Sequence, residues 1–200
     1  MSEILVNTIK KADGTGSITV PAETGTVLTS ASSIPTSQIA SLTQGITQAD
    51  HWRLSANNVY SGSAISTVTS NWERSDTEFQ LIGSGMTESS GVFTFPATGI
   101  YLISGHADFV QTVETFYHGI RIETSTNGGS NWNSRSTSYT MCYTTSPSKY
   151  TSVDAHVIFD VASTTTHKIR VQCERNATVT MMGNTSTNLS YITFIRLGDT

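Results

Sequence analysis

Five histidines, two cysteines and scattered carboxylates are the residues of this 200-residue chain best equipped for chemistry. His51, His106, His118, His156 and His167 show no His-x-His or His-x-x-x-His spacing, and Cys142 and Cys173 stand alone. That excludes a zinc signature, and neither a metal nor any other cofactor is expected. Copies of one strand histidine (His106, His118 or His156) could meet on a symmetry axis around an ion, but an ordinary place on a polar or interface face is the expectation. The unpaired cysteine spacing predicts two half-buried thiols, with a disulfide between neighbouring strands as the alternative. Serines are plentiful, yet no G-x-S-x-G elbow singles one out. Glycoside hydrolysis needs two carboxylates about 5 to 9 Å apart, and Glu114, Glu123, Asp154, Asp160 and Glu174 supply only raw material. No enzyme is expected.

Recognition suits the residues better. Trp132, Tyr139, Tyr143 and Tyr150 lie in or beside "GGSNWNSRSTSYTMCYTTSPSKY". Exposed Tyr and Trp offer stacking area with a polar tip, suited to a sugar ring or a protein; burial in a core or a subunit interface is the competing reading. "STNGGSNW", Ser125 to Trp132, resembles the Asp-box hairpin of sialidases with Asn127 at the Asp position. The resemblance implies a polar side chain bracing a tight turn over a packed Trp. A single copy points to a structural turn, and Asn-Gly is itself a hairpin signal.

These residues need a scaffold. Charged residues are sparse at 13%, while Ser and Thr fill about three positions in ten. Arginines are scattered singly, so no basic stripe exists to bind nucleic acid. No apolar run approaches the ~20 residues that span a bilayer, and no signal peptide is evident at the start. Synthesis in a cytoplasm, without membrane insertion, is the expectation.

Three segments follow. Residues 1–32 read as short strands: Ile4, Val6 and Ile9 precede the turn "ADGTGS", then come Ile18 and Val20, then Val27 and Leu28. Strands this short cannot stand alone; they must dock on another surface. Residues 33–56 form a Ser-rich link and a predicted short helix with Ile39, Leu42, Ile46 and Ala49 on one seam, either a multi-chain neck or a helix lying on the head. Trp52 and Trp72 are expected to pack where neck meets head. Residues 57–200 carry ten runs rich in Val, Ile, Thr, Tyr and Phe, which predicts an all-β, two-sheet jelly roll of about ten strands.

"GVFTFPATGIYLISGHADF", residues 91 to 109, is the most specific of these runs. Phe93 and Phe95 share one face, Pro96 ends the strand, and Gly99 restarts the chain. Tyr101, Ile103, Gly105, Ala107 and Phe109 then share one face, and Ile100, Leu102, Ser104, His106, Asp108 and Val110 the other. Both faces begin apolar, so cover is expected on both: an opposing sheet on one side, a neighbouring subunit on the other. The pattern Gly91-x-Phe93-x-Phe95-Pro96-x-x-Gly99-x-Tyr101 resembles the corner of complement-type globular heads, jelly rolls related to tumour necrosis factor. "SYITFIRLG" resembles the last buried strand of that family. The resemblance covers about residues 57–200 and implies a ten-stranded homotrimeric recognition head.

"VNTIKKADGTGSITVPAETGTVLTSAS" is similar to N-terminal segments of bacteriophage tail fibres and other virion appendages. The resemblance implies an anchor that docks on a tail adaptor or the major capsid protein. The expectation is a short trimeric virion fibre whose head binds a host surface glycan or protein. A capsid decoration protein without a receptor is the alternative, and a polysaccharide depolymerase is disfavoured.

Overall fold

Alternation of large apolar with small polar residues builds the long strands of the head. The computed structural model describes residues 45–76, 79, 81–143 and 148–200, together with the backbone of 8–10 and 17–19. The chain divides into two units, Met1–Gln44 and Gly45–Thr200. In the first, β1 (Thr8–Lys10) pairs antiparallel with β2 (Ser17–Thr19), setting Ile9 opposite Ile18. The other anchor positions, Ile4, Val6, Val20, Val27 and Leu28, and the neck positions Ile39 and Leu42, lie outside the described residues.

The second unit is all-β, and no helix occurs among the described residues. Its strands are β3 (Ala49–Leu54), β4 (Asn58–Tyr60), β5 (Ala64–Thr67), β6 (Trp72–Arg74), β7 (Thr87–Ser89), β8 (Val92–Thr94), β9 (Gly99–Gln111), β10 (Thr115–Ser125), β11 (Asn133–Cys142), β12 (Lys149–Val161), β13 (Lys168–Arg175), β14 (Val179–Met181) and β15 (Tyr191–Gly198). They form a seven-stranded sheet, β4-β14-β9-β15-β3-β6 with β12 on the other edge of β9, and a six-stranded sheet, β11-β10-β13-β8-β7 with β5 also on β13. Every pairing is antiparallel. β9 and β13 organise the two sheets, because each pairs along one edge with a single strand and along the other with two.

The core lies between the sheets. From the seven-stranded sheet come Tyr101, Ile103, Phe109, Ile192 and Phe194; from the six-stranded one come Phe93, Ile120, Ile122, Ile169 and Val171, all buried. β9 alternates buried and half-buried along its whole length, as the pattern of residues 99–111 predicts. Its second face is open to solvent in the single chain.

The corner motif has a physical reason at each position. Gly91 has φ +82°, and any Cβ there would strike the Val68 carbonyl. Phe93 packs against Trp52, Trp72 and Phe194 at centroid distances of 5.6, 5.3 and 5.3 Å. Phe95 meets Tyr101 at 4.8 Å and Phe159 at 5.9 Å. Pro96 follows the end of β8. Gly99 has φ +141° and lies so close to Arg196 and Gly198 of β15 that no side chain fits. The Tyr101 hydroxyl donates back to the Ala97 carbonyl at 3.0 Å, locking the bend.

Several expectations change. Ile46 is not on a helix, and Ala49 opens β3: Gly45 turns the chain at φ +92°, and residues 49–53 pair with β15. Ladder bonds to a central strand outweigh a seam that a short isolated helix could barely exploit. The head therefore starts at Gly45 rather than 57, and Trp52 and Trp72 are core-facing strand residues. The run at 78–84 gives no strand among the described residues; Ile82 makes only an isolated bridge to Ala49, and Gly83 turns away at φ +76°. The strand count exceeds ten, because short strands such as β4 to β7 carry too little periodicity to be distinguished from turns.

Two charges missed at this edge are built into the fold. The buried Asp50 carboxylate accepts from Arg74 Nε at 2.9 Å, Trp52 Nε1 at 2.9 Å and the Met86 backbone N–H at 2.6 Å, tying β3 to β6 and to the approach to β7. Arg53, 1% exposed, donates to Glu73 at 2.8 Å and Asp76 at 2.6 Å, and also to the Thr185 carbonyl.

Replacing Tyr101 with Ala should cost about 3 to 5 kcal/mol, and replacing it with Phe about 1 kcal/mol for the lost corner bond, both read from denaturant midpoints. Asp50→Ala should cost about 3 kcal/mol or more, since the Arg74 guanidinium, the Trp52 indole and the Met86 and His51 backbone N–H groups lose their acceptor.

Candidate functional site

Period-2 geometry sets Gly119, Arg121 and Glu123 of β10 on one face, the outer face of the six-stranded sheet. Register then places Glu174, Gln172 and Arg170 of β13 beside them, and Tyr139 of β11 opposite Gly119. Cross-strand neighbours this close interact directly, and here they form a ladder. Trp132 lies under the Arg170 guanidinium at 4.3 Å. Arg170 pairs with Glu123 at 2.7 Å, which also accepts from Gln172 at 2.7 Å. Arg121 sits 3.9 Å from Glu123 and bonds Glu174. Tyr139 donates its hydroxyl to Glu174 Oε2 at 2.7 Å.

The ladder ends at an open cleft of about 460 Å³ lined by Phe116, Tyr117, Tyr139, Thr140, Met141 and Glu174. Phe116 is 68% exposed and Met141 49%. Tyr117 and Tyr139 meet edge to face, 5.7 Å apart at 79°. A register shift between Thr115 and His118 interrupts the alternation that would otherwise bury one of two adjacent aromatics, so both Phe116 and Tyr117 face solvent. At Gly119, opposite Tyr139, any Cβ would strike the Ser138 carbonyl. Burial, and then the bond to Glu174, push the Tyr139 pKa above its ordinary value. Apolar walls with a few fixed polar groups at one end are the common make-up of small-ligand sites.

The four sequence-chosen aromatics separate. Tyr139 lines the cleft. Trp132 braces its hairpin, where Ser125 Oγ accepts from Gly129 N–H at 2.9 Å and Asn127 Oδ1 from Asn131 N–H at 2.9 Å, the polar-braced turn expected of that motif. Tyr143, exposed, follows the end of β11; Tyr150, also exposed, lies on the other sheet opposite Val110. Phe116, Tyr117, Met141 and Glu174, which also line the cleft, did not stand out in the sequence as recognition residues. The adjacent Phe-Tyr pair was the available signal, since an alternating strand can bury only one of two neighbours.

The remaining chemistry-bearing groups lie away from the cleft. His118 is fully buried, facing the core beside Phe109 at 5.0 Å, so it cannot reach a symmetry axis. His106 lies between Asp154 at 2.7 Å and Asp108 at 3.1 Å on the outer face of the seven-stranded sheet, stacked on Tyr191. His156 is exposed two residues further along β12. No metal-holding group of His, Cys, Asp or Glu occurs among the described residues. Cys142 on β11 and Cys173 on β13 are buried thiols with β10 between them, more deeply placed than half-buried, and burial pushes the Cys173 thiol up to about 12. Glu123 and Glu174 are each held by an arginine.

No protein-family model matches the chain, and no curated protein matches it. Solved structures do. Eiger TNF from S. frugiperda superposes with a TM-score of 0.59 at 14% identity, over 78% of this chain and 96% of that one. Murine APRIL superposes at 0.52 with 17% identity, over 75% and 98%. The head is a tumour-necrosis-factor-like jelly roll. This likeness covers about the length of the second unit, and at such identity it concerns the fold.

Burial drives the His118 pKa down to about 4. Its Nδ1 lies 2.8 Å from Thr115 Oγ1 and its Nε2 2.7 Å from Thr151 Oγ1, partners that satisfy a neutral ring. The unfolded chain, with an ordinary histidine pKa of 6.5, takes up the proton first. Stability is therefore complete above pH ~6.5 and falls by on the order of 2 to 3 kcal/mol as pH drops toward ~4. Denaturant midpoints should decline over that window, less steeply in His118→Gln than in the parent.

Proposed function

We propose that the chain is a non-enzymatic component of a bacteriophage virion: a short homotrimeric fibre whose N-terminal segment docks on a tail adaptor or major capsid protein and whose jelly-roll head binds a host surface glycan or protein. The observation that carries the recognition and assembly part is a pair of apolar surfaces, one on the outer face of each sheet. One is the aromatic cleft. The other is aliphatic: on the outer face of the seven-stranded sheet, register lines up Ile195, Leu102 and Ile158, flanked by Ile100 and Leu197. Ile158 is 65% and Leu197 55% exposed.

Aliphatic side chains in register across three strands present an unpaired core face, and such patches on soluble proteins mark association sites. A trimer covers this face with copies of itself, supplying the second cover that β9 lacks in the single chain. The polar half of the same face carries His51, Ser104, His106, Asp108 and Asp154, so the aliphatic half fixes the contact while the polar half can be solvated or hydrogen-bonded. Support for the virion setting comes from residues 1–32 and their likeness to phage appendage anchors. Three clefts on one rigid head would add avidity without any new contact.

The parent chain should be trimeric in native mass measurement, and Ile158→Asp should weaken assembly about 100-fold, since a charge enters the apolar contact. A monomeric parent would remove the assembly proposal. In a pull-down against virion proteins, the full chain should retain the tail adaptor and a chain lacking residues 1–32 should not; retention of the major capsid protein alone would favour decoration.

A further inference from the structure

We infer that the cleft between β10 and β11 binds an uncharged pyranose unit of a glycan. This deepens the recognition reading above and rests on it. The first observation is shape. Tyr117 and Tyr139 stand perpendicular at 79°, with Phe116 and Met141 completing an exposed apolar wall. A pyranose ring has one face of C–H groups and a rim of hydroxyls; its C–H face stacks on an aromatic face while the rim reaches the polar end. The volume of about 460 Å³ falls in the range of small-ligand sites.

The second observation is charge. Glu174 Oε2 takes both Tyr139 and Arg121, while Oε1 receives no donor among the described residues. A carboxylate oxygen with open lone pairs accepts hydroxyl donors. Its negative charge is already offset by Arg121, and the next step of the ladder, Glu123, by Arg170. A cationic ligand would meet a compensated carboxylate, and an anionic ligand would meet that same carboxylate without an unpaired cation. Neutral hydroxyls suit this end best. The third observation is position. The cleft lies on the six-stranded sheet and the aliphatic face on the other, so the two surfaces do not share side chains.

Titration of the full chain with neutral trisaccharides of glucose, galactose and mannose, followed by ligand-observed NMR, tests the inference beside a uronate-containing oligosaccharide. At least one neutral trisaccharide should bind, and the uronate more weakly. Phe116→Ala and Tyr139→Ala should each weaken binding at least tenfold, Glu174→Gln should weaken it about as much, and Val59→Ala, on β4, should leave it unchanged. Capture of bacterial cells by the full chain runs in parallel. Cell capture lost in Phe116→Ala, with no neutral sugar bound or with preference for the uronate, overturns the inference and leaves the recognition reading standing. No capture of any cell in a broad panel, with no sugar bound, removes both.

Discussion

Phe93 is the point through which the two sheets are joined. It belongs to the six-stranded sheet, yet its ring is enclosed by Trp52, Trp72 and Phe194 of the seven-stranded one. Two residues on, Phe95 extends the same cluster to Tyr101, across the bend that carries the chain from one sheet to the other. A fully buried ring contributes about 1.5 to 3 kcal/mol, and ring pairs add to that, so this cluster is a large share of a marginal total. Residues 91–101 thus combine one of the chain's crossings between the sheets with a dense aromatic part of their contact. The long strands that follow, β9 and β10, take their positions from it.

A polar surface must then be managed with few charges. Two charges that enter the interior do so with partners: Asp50 takes donors from three segments, and Arg53 pairs with Glu73 and Asp76. On the outer face of the six-stranded sheet they form the Trp132-to-Tyr139 ladder, which holds the Tyr139 hydroxyl in place at the rim of the cleft. Positioning of this kind matters for binding, because a rim group already held in place loses little entropy when a ligand arrives. The aromatic cleft and the aliphatic face lie on different sheets.

The all-β class, the corner motif, the alternation of β9 and the braced hairpin at Ser125–Trp132 were all legible in the residues. Each is a local matter: a period of two, a proline, a glycine whose neighbours leave no room, an Asn-Gly turn. β3 was not legible as a strand, since Ile46 and Ala49 fit a helical spacing as well as an extended one over so short a stretch. Of the cleft's lining only Tyr139 stood out as a recognition residue, although the adjacent Phe116 and Tyr117 carried a second signal.

Sequence by itself determined which residues alternate and where the chain must bend, because those properties reside in neighbouring residues. Only the tertiary structure decided that Ala49–Leu54 joins the sheet beside β15, that His118 faces the core while His106 faces out, and that Phe116, Tyr117, Tyr139 and Glu174 meet. The physical reason is register: pairing between strands distant in the chain, and a single register shift near Thr115, choose which side chains become neighbours and which face water.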